Sequence, residues 1–195
     1  MDHGDVTVVI PTIPPRAGMR IRAEQSAHAQ TYRRKLLIQH DDDREGSAAT
    51  RNRALTHVTT EFVLWLDDDD ELPPDAIQLL VDAQQRTGAD VVSGAAHIPQ
   101  IPGHAEPIAP DTGWLTAAYV QERSRLHVTA LMRTGLAREV GGFEYRRDPG
   151  TGMDLDDYGL YWKLAEAGAT FYRIPETVLI WNHHGKNTSG DPRNW

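Results

Sequence analysis

The chain has 195 residues, 39% of them hydrophobic and 25% charged, a formal net charge of −8 and no cysteine. That balance fits one soluble domain long enough to bury a core. It excludes disulfides and cysteine-ligated zinc, and it argues against nucleic acid as a partner, which would call for a basic excess. The start, MDHGDVTVVIPT, carries acids where a secretory leader needs basic residues. No apolar run approaches the roughly 18 residues of a membrane span, so the expected location is cytoplasmic.

In chain order, VTVVI (6–10), β-branched and closed by Pro11, predicts a buried strand. RAGMRIRAEQSAHAQTY (16–32) has helix-forming composition, and KLLIQ (35–39) predicts a second strand that runs into HDDDREG. SAATRNRALTHV (47–58) predicts a helix with Ser47 as its N-cap after Gly46. EFVLWL (61–66) predicts a third strand, running into DDDDE. PPDAIQLLVDAQQRTG (73–88) predicts a helix with Pro74 in its first turn, Ile77, Leu80 and Val81 on one face, and Gly88 closing it.

DVVSGAAHI (90–98) predicts a fourth strand, PQIPGHAEPIAPDTG (99–113) a loop, and LHVTALM (126–132) a fifth strand. MDLDDYGLYWKLAEAG (153–168) predicts a helix that opens on acids, and TFYRIPETVLIWNHH (170–184) a strand broken near Pro175. Strands alternating with helices predict an α/β fold, a mostly parallel sheet flanked by helices. Ligands of such sheets lie beyond the carboxyl ends of the strands. The three early strands end in PTIPPR, HDDD and DDDDE, so these endings are expected to share one edge.

Clustered aspartates at such an edge have three uses: holding a hard divalent cation through oxygen, hydrogen-bonding ribose hydroxyls, or acting as a general base. A solvated acidic loop ahead of a helix is the plainer alternative. Neither a G-x-G-x-x-G nor a Walker pattern is present. Phosphate is therefore expected to be carried by a cation, with help from arginines such as Arg51 or Arg53.

VTVVIPT, GSAATRNRAL, FVLWLDDDDELPPDAI, VGGFEY and LDDYGLYWKLAEAG, in that order, resemble the family 2 glycosyltransferases with the Rossmann-like GT-A fold. The resemblance covers about residues 5–184. It implies a single domain, with 1–98 carrying nucleotide-sugar and metal and 99–195 carrying acceptor and catalytic base. It implies an inverting transfer from a nucleotide-sugar, UDP-linked in the first instance with GDP and dTDP as alternatives, assisted by Mn²⁺ or Mg²⁺.

Carried onto this chain, the resemblance places Pro11, Thr12 and Arg16 beside the donor. Asp41 or Asp42 falls on the base or ribose and Arg51 near the nucleotide. Asp67 and Asp69 form the Asp-x-Asp motif, with Asp69 as metal ligand and Asp67 or Asp68 on the ribose or the metal's waters. It makes Asp157, second of the Asp156–Asp157 pair, the catalytic base, and lets His184 or His183 complete the metal site. It puts Gly142, Phe143 and Trp181 near the acceptor, a glycan, lipid or protein, and lets 187–189 close over the site.

The chain departs from the family pattern at HDDDREG, at Asp156 in place of glutamate, and at Gly159 in place of a third acid. Two alternatives stand beside this reading: a sugar-phosphate nucleotidyltransferase, and a non-catalytic nucleotide- or cation-binding module.

Overall fold

Alternation of apolar side chains along Val6–Thr12 (β1) divides the core in two. Val6, Val8 and Ile10 enter one cluster, and Val9 enters the cluster on the opposite face. The computed structural model describes residues 6–99 and 111–184. After β1 come a short 3₁₀ turn at Pro14–Arg16, α1 (Ala17–His28), β2 (Lys35–His40), α2 (Ser47–His57) and β3 (Phe62–Trp65). They are followed by α3 (Ala76–Thr87), β4 (Val91–His97), β5 (Gly113–Leu115), α4 (Ala117–Glu122), β6 (Leu131–Arg133) and α5 (Thr134–Glu139). β7 (Arg146–Arg147), β8 (Asp154–Leu155), α6 (Asp156–Glu166) and β9 (Phe171–Ile180) complete the order.

The sheet has seven strands in the order β2-β1-β3-β6-β4-β9-β5, and β7 and β8 form a separate hairpin. β2 and β3 both lie parallel to β1, with Val8 opposite Leu36 on one side and Leu64 on the other. β6 is antiparallel to β3 and β4, β9 is parallel to β4, and β5 closes the far edge antiparallel to β9. The expected mostly parallel sheet is therefore present as a mixed one. Ala23 and Ala27 of α1 and Ile77, Leu80 and Val81 of α3 cover one face. Leu55 of α2, Val120 of α4, Ala137 of α5 and Leu160 and Leu164 of α6 cover the other.

Several local expectations are corrected. Gly46, at φ 93°, is the N-cap of α2, and Ser47 is its first helical residue, with Oγ 3.0 Å from the Tyr145 hydroxyl. Pro74 precedes α3, which starts at Ala76, and Gly88 closes it at φ 72° as expected. Only Leu131 and Met132 of the 126–132 run are strand, as the start of β6. The reason lies in the carbonyls upstream. Arg125 O accepts from Arg173 Nη2, and His127 O and Val128 O accept from the Tyr161 hydroxyl, so these groups are withdrawn from any ladder. β9 runs through Pro175 without ending. The strain is absorbed in register shifts against β4, where a Cβ on Gly94 would lie 2.8 Å from Glu176 O. The acidic opening of α6 is shorter than expected, because 154–155 is spent on the β8 hairpin strand.

Candidate active site

The first three strand ends meet. Asp41 N donates to Thr12 O at 2.9 Å and Leu66 N to Val9 O at 3.0 Å. The hydroxyl of Thr12 donates to Asp68 Oδ2 at 2.7 Å, and Arg16 Nη1 donates to Asp68 Oδ1 at 3.0 Å. Both oxygens of buried Asp68 are thus occupied, one by the last residue of β1 and one by the turn after it. Pro11 lies beside Thr12 in the same strand end.

Asp67, Asp69 and Asp70 offer carboxylate oxygens within 4.8 Å of one another. Asp69 Oδ2 is 2.9 Å from His184 Nε2 and 3.4 Å from Arg16 Nη1. Asp70 accepts the backbone amide of Asn182 at 2.9 Å, so the segment after β9 is tied to this loop. Burial, then the charges of Asp67 and Asp69, push the Asp70 carboxyl well above its ordinary range. Burial raises Asp67 as well, against the pull of Arg51. Three hard oxygen donors under mutual repulsion, with an imidazole alongside, form a donor set that suits Mg²⁺ or Mn²⁺. Asp70 was not singled out in the sequence, because a run of four aspartates does not show which carboxylate turns inward.

Arg51 of α2 joins this loop to α6. Its Nη2 donates to Asp67 Oδ1 and its Nη1 to Asp156 Oδ2, each at 2.5 Å. Burial alone would lower the guanidinium pKa, but Asp67, Asp156 and Asp157 outweigh it and hold the group protonated. Asp157 follows in the first turn of α6, partly exposed, with Oδ1 accepting from Tyr158 N at 2.7 Å. Burial and then the neighbouring Asp156 charge raise Asp157 to about 7, against the opposing pull of Arg51. A carboxylate poised there can take a proton near neutral pH.

Other expected residues are placed differently. Asp41 is buried and accepts Glu45 N at 2.8 Å on one oxygen and Gly46 N at 3.0 Å on the other, so it organises the turn into α2. Exposed Asp42 instead lines a groove of about 440 Å³ with Ile38, Gln39, His40, Asp43 and Arg53. Phe143 packs edge-on against Trp65 at 4.8 Å, and its backbone is gripped at both ends by Asn52. Gly142, at φ 69°, belongs to the turn that ends α5, where its N donates to Ala137 O. Trp181 is buried in the core beside α1 and α3. Neither ring is presented to solvent for stacking on a sugar. Residues 187–189 lie outside the described residues.

Gly159 has a physical reason of its own. A Cβ there would stand 1.9 Å from Glu144 O, so the backbone leaves no room for an acid.

By structure, the chain superposes with a TM-score of 0.75 on residues 1–349 of S. aureus TarS in complex with UDP-GlcNAc, at 16% identity, covering 95% of this chain and 60% of that one. It superposes with a TM-score of 0.66 on the mannosyltransferase PcManGT from Pyrobaculum calidifontis in complex with GDP-Man and Mn²⁺, at 19% identity, covering 91% and 56%. These likenesses show the GT-A-like fold. By sequence, 52 residues are 44% identical to Beta-1,4 N-acetylgalactosaminyltransferase 2 of Mus musculus, covering 26% of this chain and 10% of that protein. A further 62-residue match is 42% identical to Beta-1,4 N-acetylgalactosaminyltransferase 1 of Rattus norvegicus, covering 31% and 11%. The chain therefore spans about a tenth of the length of these curated relatives. Residues 20–135, more than half of the chain, match Glycosyl transferase family 2, and the chain belongs to that family.

Proposed function

We propose that this domain is an inverting, cation-dependent glycosyltransferase of the hexosyl-transferring kind. It moves a sugar from a nucleotide-sugar, UDP-linked by first preference, to a hydroxyl of a glycan, lipid or protein. The observation that carries this reading is the contact of one side chain, Arg51, with both the acidic loop and the first turn of α6. It brings the cation-type donor set and the candidate base Asp157 to one site from positions 90 residues apart (157 − 67). UDP-GlcNAc bound to TarS and GDP-Man with Mn²⁺ bound to PcManGT support a nucleotide-sugar and a divalent cation as ligands.

Asp69 and Asp67 would hold the cation, with Asp70 beside them and His184 against Asp69. When bound, the cation neutralises charge on the departing diphosphate. Asp157 accepts the proton of the acceptor hydroxyl as that oxygen attacks the anomeric carbon from the face opposite the nucleotide, which inverts the configuration. Asp156, locked to Arg51, orients the turn that presents Asp157. Pro11, Thr12 and Asp42 border the nucleoside, with Arg16 next to Asp68 and Asp69 on the phosphate side. Residues 6–98 supply the donor half, and the later segments supply the base and the acceptor surface around Gly142.

The test is release of nucleoside diphosphate from a panel of nucleotide-sugars with Mn²⁺, followed with and without candidate acceptors. Diphosphate release that stops on chelation is the expected result. Pyrophosphate release from a nucleoside triphosphate and a sugar phosphate would overturn it in favour of nucleotidyl transfer. Calorimetric binding without turnover would overturn it in favour of a binding module.

A further inference from the structure

We infer that Arg51 is a positioning residue with two linked tasks: it ties the acidic loop to the first turn of α6, and it competes with the divalent cation for Asp67. The inference deepens the cation-dependent reading above and rests on it.

The guanidinium is fixed on three sides. One Nη arm reaches Asp156, where the two side chains are 7% and 10% exposed, and the other reaches Asp67, whose side chain is 37% exposed. The Phe143 ring lies 5.4 Å beneath. The next residue, Asn52, receives from Phe143 N at 2.7 Å and donates to Phe143 O at 2.8 Å, so the platform cannot slide. Arg51 Nε is buried with no hydrogen-bond acceptor among the described residues, which leaves the two Nη arms as its polar anchors. The planar fork holds two carboxylates on different elements at a fixed separation, whereas the three donors of a lysine turn about a single nitrogen and fix no such geometry.

The two arms differ in what they face. The Asp156 arm is closed to solvent, so that pair is little screened and permanent. The Asp67 arm opens onto the group of carboxylates suited to a cation, so there Arg51 already occupies charge that the cation would use. Loading the loop weakens the hold of Arg51 on Asp67 and strengthens its hold on Asp156. By linkage, the factor by which the bound cation strengthens the Arg51–Asp156 pair is the factor by which that pair strengthens cation binding. The acidic loop and the base-bearing turn thus behave as one coupled unit.

The experiment titrates MnCl₂ alone into the full chain and into Arg51→Met, Arg51→Lys and Asp156→Asn by calorimetry, with nucleotide-sugar turnover measured in parallel. Removing the competing cation in Arg51→Met tightens Mn²⁺ binding about two- to fivefold, while turnover falls about 100-fold because the base loses its fixed position. Asp156→Asn turns the whole Arg51 charge onto Asp67 and weakens Mn²⁺ binding by a similar factor. Arg51→Lys leaves turnover low.

A purely structural role for Arg51 would weaken Mn²⁺ binding and turnover together, and that result overturns the inference, as does parental turnover in Arg51→Lys. Should Arg51→Met fail to melt cooperatively, Asp156→Asn carries the test, and unchanged or tighter Mn²⁺ binding overturns the inference. A parent protein that binds Mn²⁺ and turns over, with variants moving the wrong way, defeats the inference alone. A parent that binds no Mn²⁺ defeats the cation reading with it.

Discussion

At the scale of single residues, Asp157 makes the sharpest predictions. Asp157→Asn is expected to lower transfer by about 10²- to 10⁴-fold with nucleotide binding retained, measured by turnover and calorimetry side by side. Because Asp157 titrates near 7 and must be ionised to accept a proton, kcat/KM of the free enzyme is expected to rise with pH and level off above about 7. The same group has a stability consequence. Its folded pKa is raised above the unfolded carboxyl value of 3.8, so its contribution to stability is complete below pH 3.8 and is lost as pH rises to about 7. The melting temperature of Asp157→Asn should therefore decline less than the parent's over that range. The acid pair Asp156–Asp157 was legible in the sequence as the opening of an apolar-patterned helix, while the role expected of Asp157 came from the family resemblance. The Arg51 bridge was not, since its carboxylate partners stand 16 and 105 residues away and no local pattern reports them.

At the scale of elements, the clearest contrast is between two glycines. Gly88 ends α3 at φ 72° with open space around it, so Gly88→Ala costs backbone strain only, about 1 kcal/mol. Gly159 is helical, but a Cβ there meets the backbone oxygen of Glu144. Gly159→Ala must push α6 off that segment and is expected to cost several-fold more, with loss of turnover because the turn bearing Asp157 moves. Chemical denaturation of the two variants checks both. Leu80→Ala in α3 should cost about 2–5 kcal/mol by leaving a cavity between helix and sheet.

The elements β1, α2, β3, α3 and β4 were readable because apolar residues mark them and their ends are marked by Pro, Gly or acids. The short ones were not. β6 is three residues long, and its limits are set by side chains of Arg173 and Tyr161 that take the preceding carbonyls. The β7–β8 hairpin has two residues in each strand and α5 has six, too few for the sequence to carry a period.

At the scale of the whole molecule, ligand linkage should be visible. Mn²⁺ at about 100 times its dissociation constant is expected to stabilise the protein by about 2.7 kcal/mol. A chelator should reverse the shift, and Asp69→Asn should abolish it, as read from thermal melting with and without MnCl₂.

β6, from late in the chain, is inserted between β3 and β4, so these two earlier strands never touch each other. Until residue 133 has left the ribosome, both carry open hydrogen-bonding borders, and the strand that delivers the acidic loop has a neighbour on one side only. A fragment ending at residue 98 should accordingly aggregate when expressed alone and regain solubility when the remainder is co-expressed. The strand that delivers the acidic loop would then gain its second neighbour only after two thirds of the chain has been made, and the first turn of α6 follows later still.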